Sequence, residues 1–301
     1  MRGFFIQILG SACIFAFLLE IILRLTGIAA SEPPSANIDG DFLLQPHAEG
    51  DWVRGGFGEI KSYYHINNQG YNSMVDYDDA IDSSSLKIAL LGDSFIQGMH
   101  VDIHQSIGRL AEQLSDLPMI VHEFGRAGGN IEDYKQICKE NVDGNYDFVF
   151  IWVSKDDFMH LEPYFKGAGH KAQPETMVYK IFRSIHILRY IFKNQGLLNL
   201  LNNRYCETAS IATEDSLSTI IKPDVLNSFS SNVFFIYDEA MLNLDFFELP
   251  NNRFVKLEHK HRPYNFGFDG HWNLNGRKNC ADAIVSKVSE LRKLSPAAAI
   301  K

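Results

Sequence analysis

The chain has 301 residues, of which 46% are hydrophobic and 22% charged, a balance that permits a buried core in one large domain or two small ones. Its net charge is −9 and its lysines and arginines are scattered, which argues against a nucleic acid as partner because phosphate binding needs a clustered basic surface. The histidines and the four cysteines lack metal-ligand spacing, so we expect no metal and no cofactor.

Residues 1–30 differ in composition from everything that follows. The stretch from Phe4 to Leu19 carries no charge, and its apolar character continues to Leu25. That length suffices to cross a bilayer, which takes ~20 residues. Arg2 precedes the apolar stretch and favours an N-terminus left in the cytoplasm. We therefore predict a single-pass anchor in the cell inner membrane, with the rest of the chain on the periplasmic side.

A cleaved signal peptide is the alternative for the same segment. Gly27 to Ala30 offers small residues to a signal peptidase, although the apolar run exceeds the ~7–15 residues usual in such peptides. Both interpretations place the remaining chain outside the cytoplasm. Export would permit a disulfide between Cys138 and Cys280, and two reduced core cysteines are an equally good interpretation.

Residues 31–85 form a second segment. Its beginning is rich in serine, proline, aspartate and glycine, which is typical of a linker. Its later part mixes turn residues with short alternating stretches, such as 63–67, and predicts an irregular lead-in with room for a small hairpin.

From residue 86 to residue 301, short apolar segments alternate with segments of helical pattern. The apolar segments suit strands buried on both faces, and they span 86–91, 119–124, 148–153, 232–237 and 254–257. The helical segments span 104–116, 131–141, 173–202 and 274–293. This alternation predicts a parallel sheet with helices on both sides. Ligands of such sheets bind beyond the carboxyl ends of the strands, so the residues that follow each strand are the candidates for function.

The first predicted strand ends in Gly92-Asp93-Ser94. A serine at a tight strand-to-helix turn presents its hydroxyl at the open edge of the sheet, and its backbone N–H is placed to bind an oxyanion. The alternative is that Ser94 only caps the following helix.

The second and third strands end in turns of less specific composition. Gly128 lies in a glycine-rich turn that either lets backbone amides approach a ligand or simply reverses the chain. After the third strand, Asp156 and Asp157 either hold a substrate hydroxyl or cap the next helix.

Close to the last helix, Asp269 precedes His271 by two residues. A carboxylate at this spacing can orient the imidazole ring, and the histidine can then take the proton of a serine hydroxyl. A surface histidine beside a turn aspartate is the alternative.

Together, in chain order, these four elements resemble the SGNH hydrolase family, also called GDSL esterases and lipases, over roughly residues 86–293. The Gly-Asp-Ser tripeptide ending at Ser94 matches the nucleophile motif, Gly128 the second-motif glycine, and Asp269 with His271 the C-terminal pair. The resemblance implies a flavodoxin-like three-layer α/β/α sandwich with about five parallel strands. It also implies an oxyanion hole formed by the N–H groups of the serine and the glycine and by an asparagine side chain.

The sequence departs from the family pattern at two places. The third family motif is Gly-x-Asn-Asp, whereas residues 154–157 read Ser-Lys-Asp-Asp, which puts Asp156 at the asparagine position. An ionised carboxylate cannot donate to an oxyanion, and loss of one donor typically costs ~10²–10³ in rate. The family aspartate usually lies three residues before the histidine, where this chain has Phe268.

Two further patterns indicate the kind of substrate. The Asp-x-His-Trp pattern at 269–272 looks like that of proteins of the alginate O-acetylation type, which are SGNH-like and act on exported polysaccharides. The anchor, the segment 65–71 and the serine motif together look like a group of membrane-anchored bacterial SGNH-like proteins. We therefore expect a serine acyl hydrolase or O-acyltransferase that acts on acyl esters of an exported or cell-surface glycan.

Two other functions remain open from the sequence. A catalytically weak or inactive relative would keep the fold and bind a glycan or a protein partner at the membrane. Alternatively, the apolar helical stretch at 173–202 is the functional part and lies on a membrane or on a partner, although such a stripe is more often core or lid. Trp152, Tyr164 and Trp272 suit either sugar stacking or core packing.

Overall fold

The structure is a computed structural model that describes residues 2–29, 33–38, 40–77, 84–158, 181, 184–191, 224–242 and 251–294. Most of the helix predicted at 173–202 lies outside the described residues, as do Tyr164 and Cys206.

Helix α1, Arg2–Thr26, begins the described chain. From Gly3 to Thr26 it is long and apolar enough to cross a membrane, and an N-terminal signal sequence has the same properties. Most of its large apolar side chains are exposed, whereas Leu23 near its end is buried. Near its end, Glu20 pairs with Arg24 at 2.7 Å and accepts a hydrogen bond from the backbone N–H of Ile187 at 3.0 Å. The bond from Ile187 ties the short helix α5, His186–Arg189, to α1.

The segment after α1 forms two antiparallel hairpins. Strands β1, Ser35–Ile38, and β2, Asp41–Leu44, form the first, and strands β3, Glu49–Arg54, and β4, Ile60–His65, form the second. Trp52, Ile60, Tyr64 and Ile66 pack together with Met99 of the following domain. The lead-in is therefore packed onto the domain and is more regular than the sequence indicates.

The predicted sheet is confirmed, with five parallel strands in the order β6-β5-β7-β8-β9. This is the flavodoxin-like order: β6 is added on one side of β5, and β7, β8 and β9 are added on its other side, so the order of the strands reverses between β5 and β7. The strands are β5 Leu86–Gly92, β6 Met119–Gly125, β7 Phe148–Val153, β8 Val233–Tyr237 and β9 Phe254–Lys256.

The helices cover both faces of this sheet, which gives the predicted three layers. They are α2 Ser94–Gln97, α3 Ile107–Leu114, α4 Ile131–Ile137, α6 Asp224–Asn227 and α7 Leu274–Leu294. On β5, Ile88 and Leu90 pack with α3 and α7, whereas Ala89 and Leu91 pack with α4 and α6. This alternation follows from the period of two residues in a strand and accounts for the almost wholly apolar strand sequences.

Cys138 and Cys280 lie in these two apolar layers, one on each face of the sheet, and neither forms a disulfide. Of the two interpretations left open by the sequence, the structure shows buried reduced thiols.

Candidate active site

The turn after β5 places Ser94 at the first position of α2. Asp93 caps this helix by accepting a hydrogen bond from the backbone N–H of Phe95 at 2.9 Å. A side chain at Gly92 would overlap Ile96 and come within 3.1 Å of Trp152 Cβ, so the close turn requires glycine. Helix α2 ends after four residues at Gly98, which has a φ of 65°. The short helix leaves the Ser94 side chain at the open edge of the sheet.

Ser94, His271 and Asp269 form a continuous hydrogen-bonded chain. Ser94 Oγ lies 2.9 Å from His271 Nε2, and His271 Nδ1 is hydrogen-bonded to Asp269 Oδ1. With the proton of His271 on Nδ1, Nε2 is free to accept from the serine hydroxyl. The aspartate reaches the ring although it lies two residues before His271 instead of the three usual in the family, because the intervening loop is a tight turn.

Packing before α7 fixes that loop. Trp272 is buried and contacts Trp152 edge-on at a ring separation of 4.5 Å, so both tryptophans are core residues and not sugar-stacking platforms. Asn273 caps α7 by accepting hydrogen bonds from the backbone N–H groups of Asn275 and Gly276 at 2.8 and 3.2 Å. With its next neighbours held in this way, His271 has little freedom to move away from Ser94.

Asp269 is nearly buried and has two further partners besides His271. Arg54 Nε donates to Asp269 Oδ2 at 2.9 Å, and His100 Nε2 lies 3.4 Å from Asp269 Oδ1. Partial burial acts to raise the pKa of Asp269, but the hydrogen bond with His271 and the electrostatic interactions with the neighbouring imidazole rings and Arg54 outweigh it and hold the pKa below its ordinary value. The carboxylate is therefore ionised at neutral pH.

His100 lies flat against His271, with ring centroids 3.9 Å apart and an interplanar angle of 15°. Trp52 contacts the His100 ring edge-on at 4.5 Å. Burial, and then the charge of His271, lower the pKa of His100 to about 4. A neutral His100 supports the His271 ring without competing with it for a proton at neutral pH.

The ring and carboxylate atoms of His100, Asp269 and His271 lie within 4.8 Å of one another, close enough for a metal ion to be considered. Two observations favour the hydrogen-bonded interpretation. The stacked imidazoles direct their lone pairs along nearly parallel planes instead of towards a common point, and Asp269 already neutralises Arg54. A cation there would face the guanidinium charge.

Gly128 lies in the turn after β6, is exposed and lines the same cavity as Ser94. Its φ of 80° is the left-handed conformation that favours glycine. At the end of β6, Gly125 lies against α2 so closely that a Cβ would overlap the backbone N of Gln97. The first and second motifs are thus in contact at the edge of the sheet.

Asp156 lies in a 3₁₀ turn, Lys155–Phe158, after β7, where it is exposed and is not among the described residues that line the cavity. The neighbouring Asp157 is buried and accepts hydrogen bonds from the Ser154 backbone N–H at 2.6 Å and from the Tyr134 hydroxyl at 2.6 Å. Burial raises the pKa values of Asp157 and Asp93, and the carboxyl group of Asp157 raises that of Asp93 further.

A cavity of about 440 Å³ opens in front of Ser94 and His271. The lead-in hairpins supply one side of it, and its apolar lining consists mainly of Phe42, Leu43, Leu44, Trp52 and Met99. Its polar lining includes Gln97 and two arginines, Arg54 and Arg126.

The sequence does not identify Arg54 and His100 as site residues. Arg54 is 215 residues away from Asp269 along the chain and carries no motif, and the lead-in that bears it reads as irregular. His100 lies shortly after Ser94 in the sequence, and this proximity is the only signal by which the sequence could have indicated it.

No protein-family model matches the chain, and no curated protein sequence matches it either. Among solved structures, the chain is similar to a G-D-S-L family protein from Desulfitobacterium hafniense, with 11% identity over 67% of this chain and 99% of that one, and a TM-score of 0.34. It is similar to an acetylxylan esterase from Geobacillus stearothermophilus, with 12% identity, 67% and 94% coverage and a TM-score of 0.33. It is also similar to a family 3 carbohydrate esterase from Clostridium thermocellum, with 19% identity, 70% and 98% coverage and a TM-score of 0.32.

All three solved structures are less than 20% identical to this chain and have TM-scores below 0.5. Their identities and TM-scores are too low to carry an argument about activity, so the chemistry has to be argued from the residues of this chain alone.

Proposed function

We propose that this chain is a serine acyl hydrolase of the SGNH type that acts on esters of an exported or cell-surface glycan, with O-acyl transfer as the variant in which a sugar hydroxyl replaces water. The observation that carries the proposal is the hydrogen-bonded chain from Ser94 Oγ through His271 to Asp269. A serine, a base and an orienting acid in contact are the parts that nucleophilic acyl transfer requires.

In the first half-reaction, Ser94 Oγ attacks the ester carbonyl while its proton passes to His271 Nε2. Asp269 stabilises the imidazolium that forms, and Arg54 and His100 hold Asp269 in place. When the tetrahedral intermediate collapses, His271 gives the proton to the leaving alcohol. In the second half-reaction, His271 activates water or a sugar hydroxyl, which attacks the acyl-enzyme and releases Ser94.

The backbone N–H groups of Ser94 and Gly128 are the proposed donors to the oxyanion. Asp156 does not complete this set, because an ionised carboxylate accepts hydrogen bonds and repels a developing negative charge. We therefore expect a slower enzyme than one with a third donor in contact with the oxyanion, by ~10²–10³ if no other group replaces it.

The glycan part of the proposal is supported by location. Helix α1 suits a membrane anchor, and Arg2 before its apolar stretch favours an orientation with the catalytic domain on the periplasmic side. Extraction of membranes at alkaline pH tests the anchor. We expect the full chain to stay with the membrane, and release of a shortened chain would favour a cleaved signal peptide.

Turnover of p-nitrophenyl acetate by the full-length chain in detergent micelles tests the chemistry. We expect hydrolysis that Ser94→Ala reduces to the background rate while the variant keeps its thermal unfolding midpoint. Ser106→Ala, which removes a serine that caps α3 and is not among the described residues of the cavity lining, is the matched control. Equal turnover by Ser94→Ala and the unmodified chain would contradict the proposal.

The second candidate is a non-catalytic relative that binds a glycan or a partner at the membrane. The observation that favours it is the exposed Asp156 at the position of an oxyanion donor. Well-folded protein that turns over no ester but binds acetylated oligosaccharides in its cavity would favour this candidate.

A further inference from the structure

One face of the C-terminal end of helix α1 contacts the segment 184–191, which contains α5 and is named here the α5 segment. Glu20, Leu23 and Arg24 share that face of α1, since residues three and four apart lie on the same side of a helix. Leu23 is buried, whereas Leu25 on another face is 82% exposed. The face that carries Glu20 is therefore where α1 meets the α5 segment.

Polar contacts hold the α5 segment to this face of α1. Glu20 accepts hydrogen bonds from the backbone N–H groups of His186 and Ile187 at 3.1 and 3.0 Å, and one of its oxygens lies 3.2 Å from His186 Nδ1. Arg24 Nη2 donates to the carbonyl oxygen of Ser184 at 2.9 Å. These partners are 160 to 167 residues apart along the chain. A chain that had lost α1 as a cleaved signal peptide could not make these contacts.

The position of Glu20 and Arg24 along α1 gives the depth of these contacts in a bilayer. The uncharged stretch of the helix runs from Phe4 to Leu19, and a hydrocarbon core of ~30 Å takes ~20 residues of helix. Glu20 and Arg24 therefore lie at the outer boundary between acyl chains and head groups when α1 spans the membrane. Ionisable side chains at this depth need polar partners. The α5 segment supplies them and is thereby held at the same depth.

The side chains of the α5 segment suit the boundary between lipid and water. Its apolar and aromatic residues are Ile185, Ile187, Leu188, Tyr190 and Ile191. Ile191 is 39% exposed, and the other four are half-buried. Apolar side chains together with a tyrosine are typical of chain segments that lie in the interface of a bilayer. Lipid is therefore the partner that both the depth and the composition of this surface favour.

We propose that the α5 segment is a membrane-docking element, which α1 holds at the outer interface through Glu20 and which rests on the lipid surface. It gives the domain a second attachment beside the single helix, and so it fixes how the domain is turned relative to the membrane. This inference rests on the membrane anchor of the proposed function and is independent of its ester chemistry.

The end of α1 also contacts the hairpin formed by β3 and β4. A Cβ at Gly58 would lie 3.3 Å from Ile28 Cγ2, and Trp52 and Arg54 of the same hairpin line the active-site cavity. Fixing the rotation of the domain about α1 therefore also fixes where this side of the cavity lies relative to the lipid surface.

Quenching of an introduced tryptophan by brominated lipid tests the depth of the α5 segment. The full-length Ile191→Trp variant is reconstituted into phosphatidylcholine vesicles with or without bromine on the acyl chains near the head group, and the emission of the unmodified chain is subtracted. We expect bromination to remove about half or more of the added emission, because an interfacial side chain is buried ~5–10 Å into the boundary of head groups and acyl chains.

Leu114→Trp is the matched control for exposure. Leu114 is 49% exposed and ends α3 shortly before β6 begins, so it lies towards the amino ends of the strands, away from the edge that carries the active site. We expect bromination to leave its emission nearly unchanged. Equal quenching of Ile191→Trp and Leu114→Trp in the intact chain would overturn the inference, since protein or water and not lipid would then surround the segment.

Glu20→Leu, added to Ile191→Trp, tests the attachment to α1. We expect the quenching to fall about twofold or more, as the loss of two backbone hydrogen bonds to a charged acceptor predicts. Cys13→Leu changes another exposed residue of α1 and should leave the quenching unchanged. Unchanged quenching in Glu20→Leu would contradict the role of Glu20. A failure of the proposed anchor is distinguishable by mass spectrometry of the reconstituted protein, since it would show as a chain that has lost α1.

Discussion

The turns that follow strands β5 and β7 are alike in construction and differ in what they present. Each contains a buried carboxyl group that caps its own backbone, Asp93 in the first and Asp157 in the second. In the first turn, the neighbouring Ser94 lines the cavity and contacts His271. In the second, the neighbouring Asp156 is exposed and makes no contribution to the described cavity lining. The end of a strand therefore fixes the backbone of the following turn. Whether the next side chain belongs to the site depends on a partner residue that faces it, as His271 faces Ser94.

Removal of His271, the partner that only the first turn contacts, should have the largest effect on catalysis. We expect His271→Asn to reduce kcat for p-nitrophenyl acetate by at least ~10³-fold, since a serine hydroxyl without its base is a poor nucleophile. Steady-state hydrolysis of p-nitrophenyl acetate measures kcat for both chains. His100→Asn, which changes the ring stacked on His271, is the control and should cost far less. Comparable losses in the two variants would contradict the assignment of His271 as the base.

The second turn can be altered to resemble the family pattern. We expect Asp156→Asn to raise kcat by only about twofold, because the side chain is exposed outside the described cavity lining and acts on the oxyanion through its charge alone. Asp156→Ala is the matched control, since it removes the same charge without supplying a donor, and should gain equally. A gain of about tenfold or more in Asp156→Asn that Asp156→Ala does not share would show that the amide reaches the oxyanion and would contradict this placement of the side chain.

The contact between the first and second turns should be visible in stability. Gly125→Ala would place a methyl group on the backbone N of Gln97, and we expect it to lower the free energy of unfolding by ~1–3 kcal/mol. Gly267→Ala adds the same methyl group where nothing lies within 4 Å, and should change stability by less than ~0.5 kcal/mol. Urea unfolding measures both. Equal effects would mean that the turns are not in close contact.

The carboxyl groups of the two turns should also make the stability of the fold depend on pH. Burial, together with the neighbouring carboxyl group of Asp157, raises the pKa of Asp93 from 3.8 to about 7. A raised pKa means that the folded state holds the proton more tightly, so this stabilisation is complete below about pH 4 and is lost as the pH rises through about 7. Asp93→Asn should flatten this part of the profile of unfolding free energy against pH. A profile unchanged from that of the unmodified chain would contradict the raised pKa.

The strands and the order of the site residues were predictable because each leaves a local signal. Wholly apolar strands mark a sheet covered on both faces, and Ser94 and His271 follow glycine turns at recognisable places in the chain. Arg54 was not predictable, because its function depends on a contact with Asp269 that only the folded chain creates. The hairpins that carry it leave only a weak signal in the sequence, because their strands are four to six residues long and mix buried with exposed side chains.

The central claim is that Ser94 is a nucleophile activated by His271. The most direct test is the rate at which a fluorophosphonate labels the full-length chain, with the modified residue located by mass spectrometry. We expect a single adduct on Ser94, formed rapidly in the unmodified chain and at least ~10³-fold more slowly in His271→Asn. An adduct on another residue, or the same labelling rate with and without His271, would contradict the claim.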